Sequence, residues 1–505
     1  MLPYACPASL PIDAALILAI DQGTTGTTTL VIDENARIVG RAYAPVDQSY
    51  PRPGWVEHDP NQIWDGVQRS ARQAIVAAPD RPVAAIGITN QRETAVAWHS
   101  ATLEPLGPAI VWQDVRTAGA MAELEADGKG ATIRALTGLR PSPYFSAGKY
   151  AWMLHHVPEV AAARDAGRLR FGTVDAWLIA RLTGGAQVSD ATNASRTLLM
   201  DLQSGRWSCE LTELFGVPRE ALPEIVPSIG QCAVTGSDAP VAPGTPISGI
   251  AGDQQAALFG HLAVAPGAAK VTYGTGCFLL QHAGDTRPPD IEHVLTTVAL
   301  GRPDGLTYAY EGSVFTGGAL VQWLRDELGL IESAPEIETL ARAVPDTSGA
   351  VVVPAFTGLG APYWDPDARG AILGLTRGVT SAHLARASLE AIVHQVQDVL
   401  ELMPPLAGEL FVDGGAAAND LLLQLQAASA ARTVARPADI ETTALGAAYL
   451  AGLAHGVWSS VDELRSLRPA PTLFEPGREV LAIDRPTWRR AVDRTLGWAA
   501  TASDA

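Results

Sequence analysis

The sequence predicts an α/β protein built from two related domains that face each other. Three observations point there. The chain has 505 residues, more than one hydrophobic core normally serves. Short apolar runs that end in polar residues alternate with stretches of helical spacing. One pattern also recurs three times: an apolar strand, an aspartate among small residues, then a helix or turn. It occurs at Leu18-Ala-Ile-Asp21-Gln-Gly-Thr-Thr25, at Ile247-Ser-Gly-Ile-Ala-Gly-Asp253-Gln-Gln255 and at Leu410-Phe-Val-Asp413-Gly-Gly-Ala-Ala-Ala-Asn419. Those intervals are far too wide for a solenoid.

In chain order, Leu16–Asp21 reads as a buried strand and Thr28–Asp33 as the next, joined by the turn Gly23-Thr24-Thr25-Gly26. Arg37–Tyr43 suits a third strand. Asn61–Ala78 has helical spacing of Ile63, Trp64, Val67, Ala71 and Ile75, with Asp59 as N-cap ahead of Pro60. Val83–Thr89 is short and apolar and delivers Asn90-Gln-Arg-Glu93 at its end. Pro/Gly-rich stretches at Ala239–Gly249 and Ala265–Ala269 bracket a boundary near residue 262, giving domains 1–262 and 263–505. Ser381–Leu402 and Thr443–Leu453 read as long helices of the second domain.

Composition narrows the function classes. A hydrophobic fraction of 47% with 18% charged residues describes a soluble globular chain. A net charge of -18 without any Lys/Arg run argues against nucleic acid as a partner. Lysine occurs only at Lys129, Lys149 and Lys270, and none precedes Ser or Thr, so there is no GxxxxGK[ST] loop. Phosphate must be held by backbone amides, hydroxyls, arginines or a metal. Cys6, Cys209, Cys232 and Cys277 are scattered without metal-ligand spacing, as in a reduced, cytoplasmic protein. The start, interrupted by Pro3, Pro7 and Pro11, lacks the basic region of a signal peptide, and the apolar run Ala14–Ile20 is too short to span a bilayer.

The opening Gly/Thr loop holds five threonines between Asp21 and Thr29. Consecutive amides there can form an anion nest, and Asp21 at the strand tip suits a hydrated Mg²⁺. A threonine-rich β-turn explains the loop equally well. Asp253 opens an apolar helix, either as a cap or as a general base beside a substrate hydroxyl. Tyr273-Gly-Thr-Gly-Cys-Phe278 offers a second Gly/Thr loop but lacks the third glycine of GxGxxG. Arg92-Glu93 is a surface ion pair or a ligand clamp. Trp112, Tyr144 and Phe145 are core aromatics or the walls of a small polyol site. The histidines form no metal pattern and read as surface or core residues.

Taken together, the segments resemble the FGGY carbohydrate kinases from about Leu16 to Val457. The carriers are Asp21-Gln-Gly-Thr-Thr25, Gly54-Trp-Val-Glu-His-Asp59, Asn90-Gln-Arg-Glu-Thr94, Ala109-Ile-Val-Trp-Gln113, Pro143-Tyr-Phe-Ser146, Gly249-Ile-Ala-Gly-Asp-Gln-Gln255, Thr272-Tyr-Gly-Thr-Gly-Cys-Phe278, Pro362-Tyr-Trp-Asp365, Gly374-Leu-Thr-Arg-Gly378 and Asp413-Gly-Gly415. The resemblance implies two actin-like ATPase (ribonuclease H-like) domains flanking a deep cleft, and transfer of phosphate from ATP to glycerol with Mg²⁺, giving sn-glycerol 3-phosphate. It implies that Arg92, Glu93, Tyr144 and Asp253 bond the acceptor hydroxyls with Gln254 beside them. Trp112 and Phe278 would pack on the carbon chain, and Asp253 would be the base. Thr24, Thr25, Gly26 and Thr275 would hold the phosphates, Gly318, Gln322, Gly415 and Asn419 would lie along the nucleotide, and Asp21 would face the metal. A homo-oligomer, dimer or tetramer, is expected, with no nucleic acid and no membrane insertion.

Two departures stand out. Thr28 occupies a position where many relatives carry an arginine, so phosphate binding is expected to lean on neutral donors and Mg²⁺. The segment Val234–Gly244 has neither Arg nor His, so neither sugar-bisphosphate inhibition nor histidine phosphorylation is expected. Two alternatives stay open: an FGGY kinase for another acceptor, such as erythritol or xylulose, and an actin-like ATPase or sensor that phosphorylates nothing.

Overall fold

The structure, a computed structural model, describes residues 15–500, so the reading of the N-terminal start and of Cys6 lies outside the described residues. The first sheet contains β1 (Leu16–Gln22), β2 (Gly26–Ile32), β3 (Ile38–Pro45), β4 (Val83–Asn90), β5 (Ile229–Val234) and β6 (Pro246–Gly252) in the order β5-β6-β4-β1-β2-β3. The central strands β6, β4 and β1 are parallel and nearly fully buried, as their unbroken apolar runs require. Register brings Asp21 opposite Thr89 and Asn90 opposite Gly252, so the polar residues gather at the carboxyl ends of these strands. Ligands in open α/β sheets bind at that edge.

The helix α1 (Pro60–Ala77) covers one face of this sheet. Asp59 caps it by accepting from Asn61 N at 2.8 Å, and Pro60 takes the first turn, where no N–H is needed. Ile63, Trp64, Val67 and Ala71 are buried as expected, while Ile75 is only partly covered near the C-terminal end. The second sheet contains β7 (Ala269–Tyr273), β8 (Cys277–Gly284), β9 (Leu295–Arg302), β10 (Gly305–Val314), β11 (Leu410–Asp413), β12 (Val434–Arg436) and β13 (Thr472–Phe474), ordered β9-β10-β8-β7-β11-β12-β13. Here β7 and β11 are parallel, with Thr272 opposite Asp413.

Three helices position the chemistry. α2 (Asp253–Gly260) follows β6 directly, α3 (Gly318–Asp326) follows β10, and α4 (Thr442–His455) begins beyond β12. α4 returns to the first sheet: Ala444, Leu445, Ala448 and Leu450 share a core with Ile17, Ala19, Leu30, Ile32 and Phe259. Each fully buried Leu or Ile there contributes about 1.5–3 kcal/mol. The fit depends on missing side chains. A Cβ on Gly446 would stand 1.8 Å from Ala256 O, one on Gly260 2.0 Å from Thr442 O, and one on Gly87 2.1 Å from Ala447 O. Glycine therefore lets α4 lie against both α2 and the sheet that carries Asp21. Among the described residues no helix is long and apolar enough to cross a membrane, and Cys209, Cys232 and Cys277 are unpaired.

Candidate active site

The site begins where β4 ends. Glu93 has φ +61, and Thr94 N–H bonds Arg92 O at 2.7 Å across it, a tight three-residue turn. A non-glycine residue in that region stores strain, and strain of this kind concentrates at functional positions. The turn sends the side chains of Arg92 and Glu93 into one buried cluster.

Arg92 donates from Nη1 and Nη2 to the two oxygens of Glu311 at 2.7 and 2.8 Å, a fork-to-fork pair, and from Nη1 to Gln255 Oε1 at 3.2 Å. Its Nε lies 3.2 Å from Asp253 Oδ1 and 3.7 Å from Glu93 Oε1. Arg196 donates from Nε to Glu93 at 2.7 Å and from Nη2 to Glu311 at 3.2 Å. Burial pushes the Glu311 carboxyl up, but Arg196 and Arg92 together bring it down to about 2. For Glu93 burial wins over Arg92 and Arg196, and its pKa is raised. The two carboxylates differ because Glu311 receives both teeth of one guanidinium and an edge of another, whereas Glu93 has one short bond and one long contact.

Asp253 is the first residue of α2 and Gly252 its cap, so the aspartate side chain is not consumed as an N-cap. Its Oδ1 accepts from Gln254 N at 2.7 Å, and 29% of the side chain remains open. Burial raises its pKa against the pull of Arg92 and Lys270. Asp21 is raised as well, by burial and then by the negative charges of Asp253 and Glu441. Behind α2, Lys270 donates to Gln254 Oε1 and to Thr272 Oγ1, and Asp413 accepts from His261 Nε2 at 2.8 Å and Thr442 Oγ1 at 2.5 Å. His261 is thus a buried tie between α2 and β11, a core histidine with a partner in the second sheet.

Aromatic walls stand beside these charges. Trp112 meets Tyr144 edge-to-face at 5.6 Å and Phe278 at 6.2 Å, and its Nε1 donates to Thr24 Oγ1 at 2.9 Å. Buried Lys149 donates to the carbonyls of Pro143, Tyr144 and Phe145 at 2.8, 2.6 and 3.2 Å, fixing the loop that carries Tyr144. Burial brings the Lys149 ammonium down to about 7 against the attraction of Glu93 and Asp114.

Both Gly/Thr loops are hairpin turns, closed by Gly23 N to Gly26 O and by Gly274 N to Gly276 O, each at 2.9 Å. Thr25 and Thr275 are exposed at their tips, and Thr24 is half-buried. Gly26 leaves no room for a side chain, since a Cβ would lie 2.6 Å from Ala44 O. The second loop is tied to the start of α3: Gly317 N–H reaches Thr275 O at 2.7 Å and Gly318 N–H reaches Gly274 O at 2.8 Å. Gln322 is exposed one turn along α3, and Gly415 is exposed just beyond Asp413. Asn419 uses its Oδ1 to cap the helix Asp420–Ala430, at 2.8 Å from Leu422 N. Thr28 sits in register between Asp21 and Tyr43.

The structure thus brings Thr24, Arg92, Glu93, Trp112, Tyr144, Asp253, Gln254 and Phe278 into one connected cluster, with Thr275 and Gly318 on an adjoining one. Among the described residues no hydrogen bond, ion pair or ring contact joins Gln322 or Asn419 to it, Asn419 spending its side chain on the helix cap. Glu311, Arg196, Lys149 and Lys270 belong to the cluster and escaped the sequence reading. Two of them are lysines in a chain with only three, and that scarcity was the available signal.

Residues 16–260 match the model of the FGGY family of carbohydrate kinases, N-terminal domain, and residues 269–455 the C-terminal domain of the same family. A glycerol kinase of Aromatoleum aromaticum is 52% identical over 96% of this chain and 99% of its own length. One from Trichlorobacter lovleyi is 51% identical with the same coverage. Among solved structures, Plasmodium falciparum glycerol kinase with ADP superposes with a TM-score of 0.88 at 34% identity, covering 96% of this chain and 98% of that one. A xylulose kinase of Lactobacillus acidophilus shares the fold at a TM-score of 0.82 and 23% identity, over 95% of this chain and 96% of that one.

Proposed function

The chain belongs to the FGGY family of carbohydrate kinases, and from that premise we infer that it phosphorylates glycerol with ATP, giving sn-glycerol 3-phosphate and ADP. The observation that carries this reading is the buried cluster beside Asp253: Arg92 and Glu93 for hydroxyls, with Trp112, Tyr144 and Phe278 closing around a short carbon chain. Groups built to bond hydroxyls discriminate strongly, because an analogue lacking one leaves them unpaired.

In the proposed reaction Arg92, Glu93 and Tyr144 orient the acceptor with Gln254 beside them, and Trp112 and Phe278 fix its carbon backbone. Asp253 takes the proton of the attacking hydroxyl, whose oxygen forms a bond to the γ-phosphorus in line as the bond to ADP breaks. Its raised pKa supports that role, since a stronger base accepts the proton more readily. Thr24, Thr25, Gly26 and Thr275 hold the phosphates by neutral donors; Gly318, Gln322, Gly415 and Asn419 line the nucleotide. Asp21 fits a hard cation: no side-chain partner engages its carboxylate among the described residues, and its neighbours Asp253 and Glu441 make the spot strongly negative. Mg²⁺ there supplies neutralisation of phosphate charge. Cleft closure over the pair excludes water, the competing acceptor. The protein is proposed to act in the cytoplasm, as a homo-oligomer.

A coupled ADP-release assay over glycerol, erythritol, xylulose and gluconate tests the acceptor. Glycerol should give the highest kcat/KM; a preference for a longer acceptor refutes the reading.

A further inference from the structure

The acceptor-binding charges do not stand by themselves. Arg92 and Glu93 leave the end of β4 on consecutive residues, and each is gripped from behind by a residue to which the reaction gives no role. Glu311 takes both outer nitrogens of Arg92, and Arg196 takes an oxygen of Glu93. The two holders also bond each other, Arg196 Nη2 to Glu311 Oε1 at 3.2 Å. The four side chains close a ring of two cations and two anions, with side-chain exposures between 0% and 2%.

We propose that Arg196 and Glu311 are positioning residues for the acceptor, a pair that sets the attitude of Arg92 and Glu93 and makes the acceptor site a property of both halves of the molecule. Glu311 lies on β10, in the second sheet, opposite Leu280 of the strand that also carries Phe278. Arg92 and Glu93 come from the first sheet. Arg92 therefore keeps its acceptor-facing geometry only while Glu311 on β10 stays beside the turn that follows β4.

The direction of the grip matters chemically. A guanidinium presents five donors in a fixed fork. Glu311 occupies the two outer nitrogens and leaves Nε turned toward Asp253 and Glu93. Without Glu311 the fork is free to swing onto Asp253, the group with the open face, and would mask it from a hydroxyl. Arg196 plays the matching part for Glu93. It approaches Tyr144 and Phe145 with its guanidinium carbon 5.6 and 5.1 Å from their rings, so one side chain steadies the carboxylate and backs the aromatic wall. Its Nη1 is buried without an acceptor, so Arg196 is held by the two carboxylates through Nε and Nη2.

The pair rests on the reading of Arg92 and Glu93 as acceptor ligands, and the test separates the two. Steady-state kinetics are measured for wild type, Glu311→Gln, Glu311→Asp, Arg196→Lys and the double variant Glu311→Gln/Arg196→Gln, each with ADP affinity as a check on folding. In wild type the acceptor panel decides the substrate reading by itself, and the variants are then compared on the acceptor that wild type uses best. Glu311→Gln should raise the acceptor KM at least about tenfold, the loss of a bond worth about 1.4 kcal/mol, while the ATP KM stays within about twofold. Glu311→Asp should recover part of the loss, because a carboxylate remains. The double variant should lose less than the product of the single losses, because the holders touch. Equal rises in both KM values, or a fall in kcat alone with the acceptor KM unchanged, would reduce the pair to a merely structural role and overturn the proposal. Should Glu311→Gln fail to fold, Arg196→Lys carries the test, with the same split of KM values expected.

Discussion

Asp253 combines three features: it starts a helix, it keeps an open face, and Arg92 and Lys270 pull on its carboxyl without overcoming the upward push of burial. Replacing it with asparagine keeps the shape and removes the proposed base. Asp253→Asn should lower kcat by roughly 10²–10⁴-fold with ADP affinity unchanged, read by rapid-quench kinetics and calorimetric titration. Lys149 gives a pH signature. Burial lowers its pKa from 10.5 to about 7 in the folded protein, whereas the unfolded chain keeps the ordinary value. Across that window the unfolded state binds more protons, so this residue's contribution to stability rises with pH. The difference in unfolding free energy between wild type and Lys149→Met should therefore grow in wild type's favour between pH 7 and 10. A difference that stays flat or falls would show that Lys149 is protonated throughout.

The legible elements and the missed ones divide along a physical line. Local signals placed β1, β4 and α1 to within a residue or two, because an apolar run or a capped amphipathic helix is a property of contiguous sequence. They also placed the Gly/Thr loops and Asp253. What they could not show is partnership across the chain. Arg196 and Glu93 are 103 positions apart, and Arg92 and Glu311 are 219 apart, so neither pairing leaves a trace in spacing. The destination of α4 was equally hidden: its all-round apolar sequence says that it is buried, and only Gly446 meeting Ala256, with Gly87 under Ala447, says against what. That crossing is testable. Gly446→Ala should destabilise by roughly 1–3 kcal/mol through overpacking and lower kcat, since α2 carries Asp253. Gly119→Ala, at a helical site with nothing within 4 Å, should be neutral or slightly stabilising in the same denaturation assay. Equal effects at the two positions would contradict the close-packed crossing.

At the scale of the whole molecule, the proposed acceptor cluster draws on both sheets. The turn after β4 supplies Arg92 and Glu93 and α2 supplies Asp253; β8 and β10 supply Phe278 and Glu311; and α4 ties the second half back onto the first. A chain that only hydrolysed ATP would have no use for the proposed hydroxyl-binding charges or for the aromatic wall beside them. Phosphate is therefore expected to pass to glycerol and not to water. The direct measurement is simultaneous detection of ADP and of sn-glycerol 3-phosphate, the latter through a stereospecific dehydrogenase, with ATP, Mg²⁺ and glycerol present. Equal amounts of the two products are expected, with little ADP when glycerol is omitted. ADP that forms at the same rate without glycerol, or without matching sn-glycerol 3-phosphate, would contradict it.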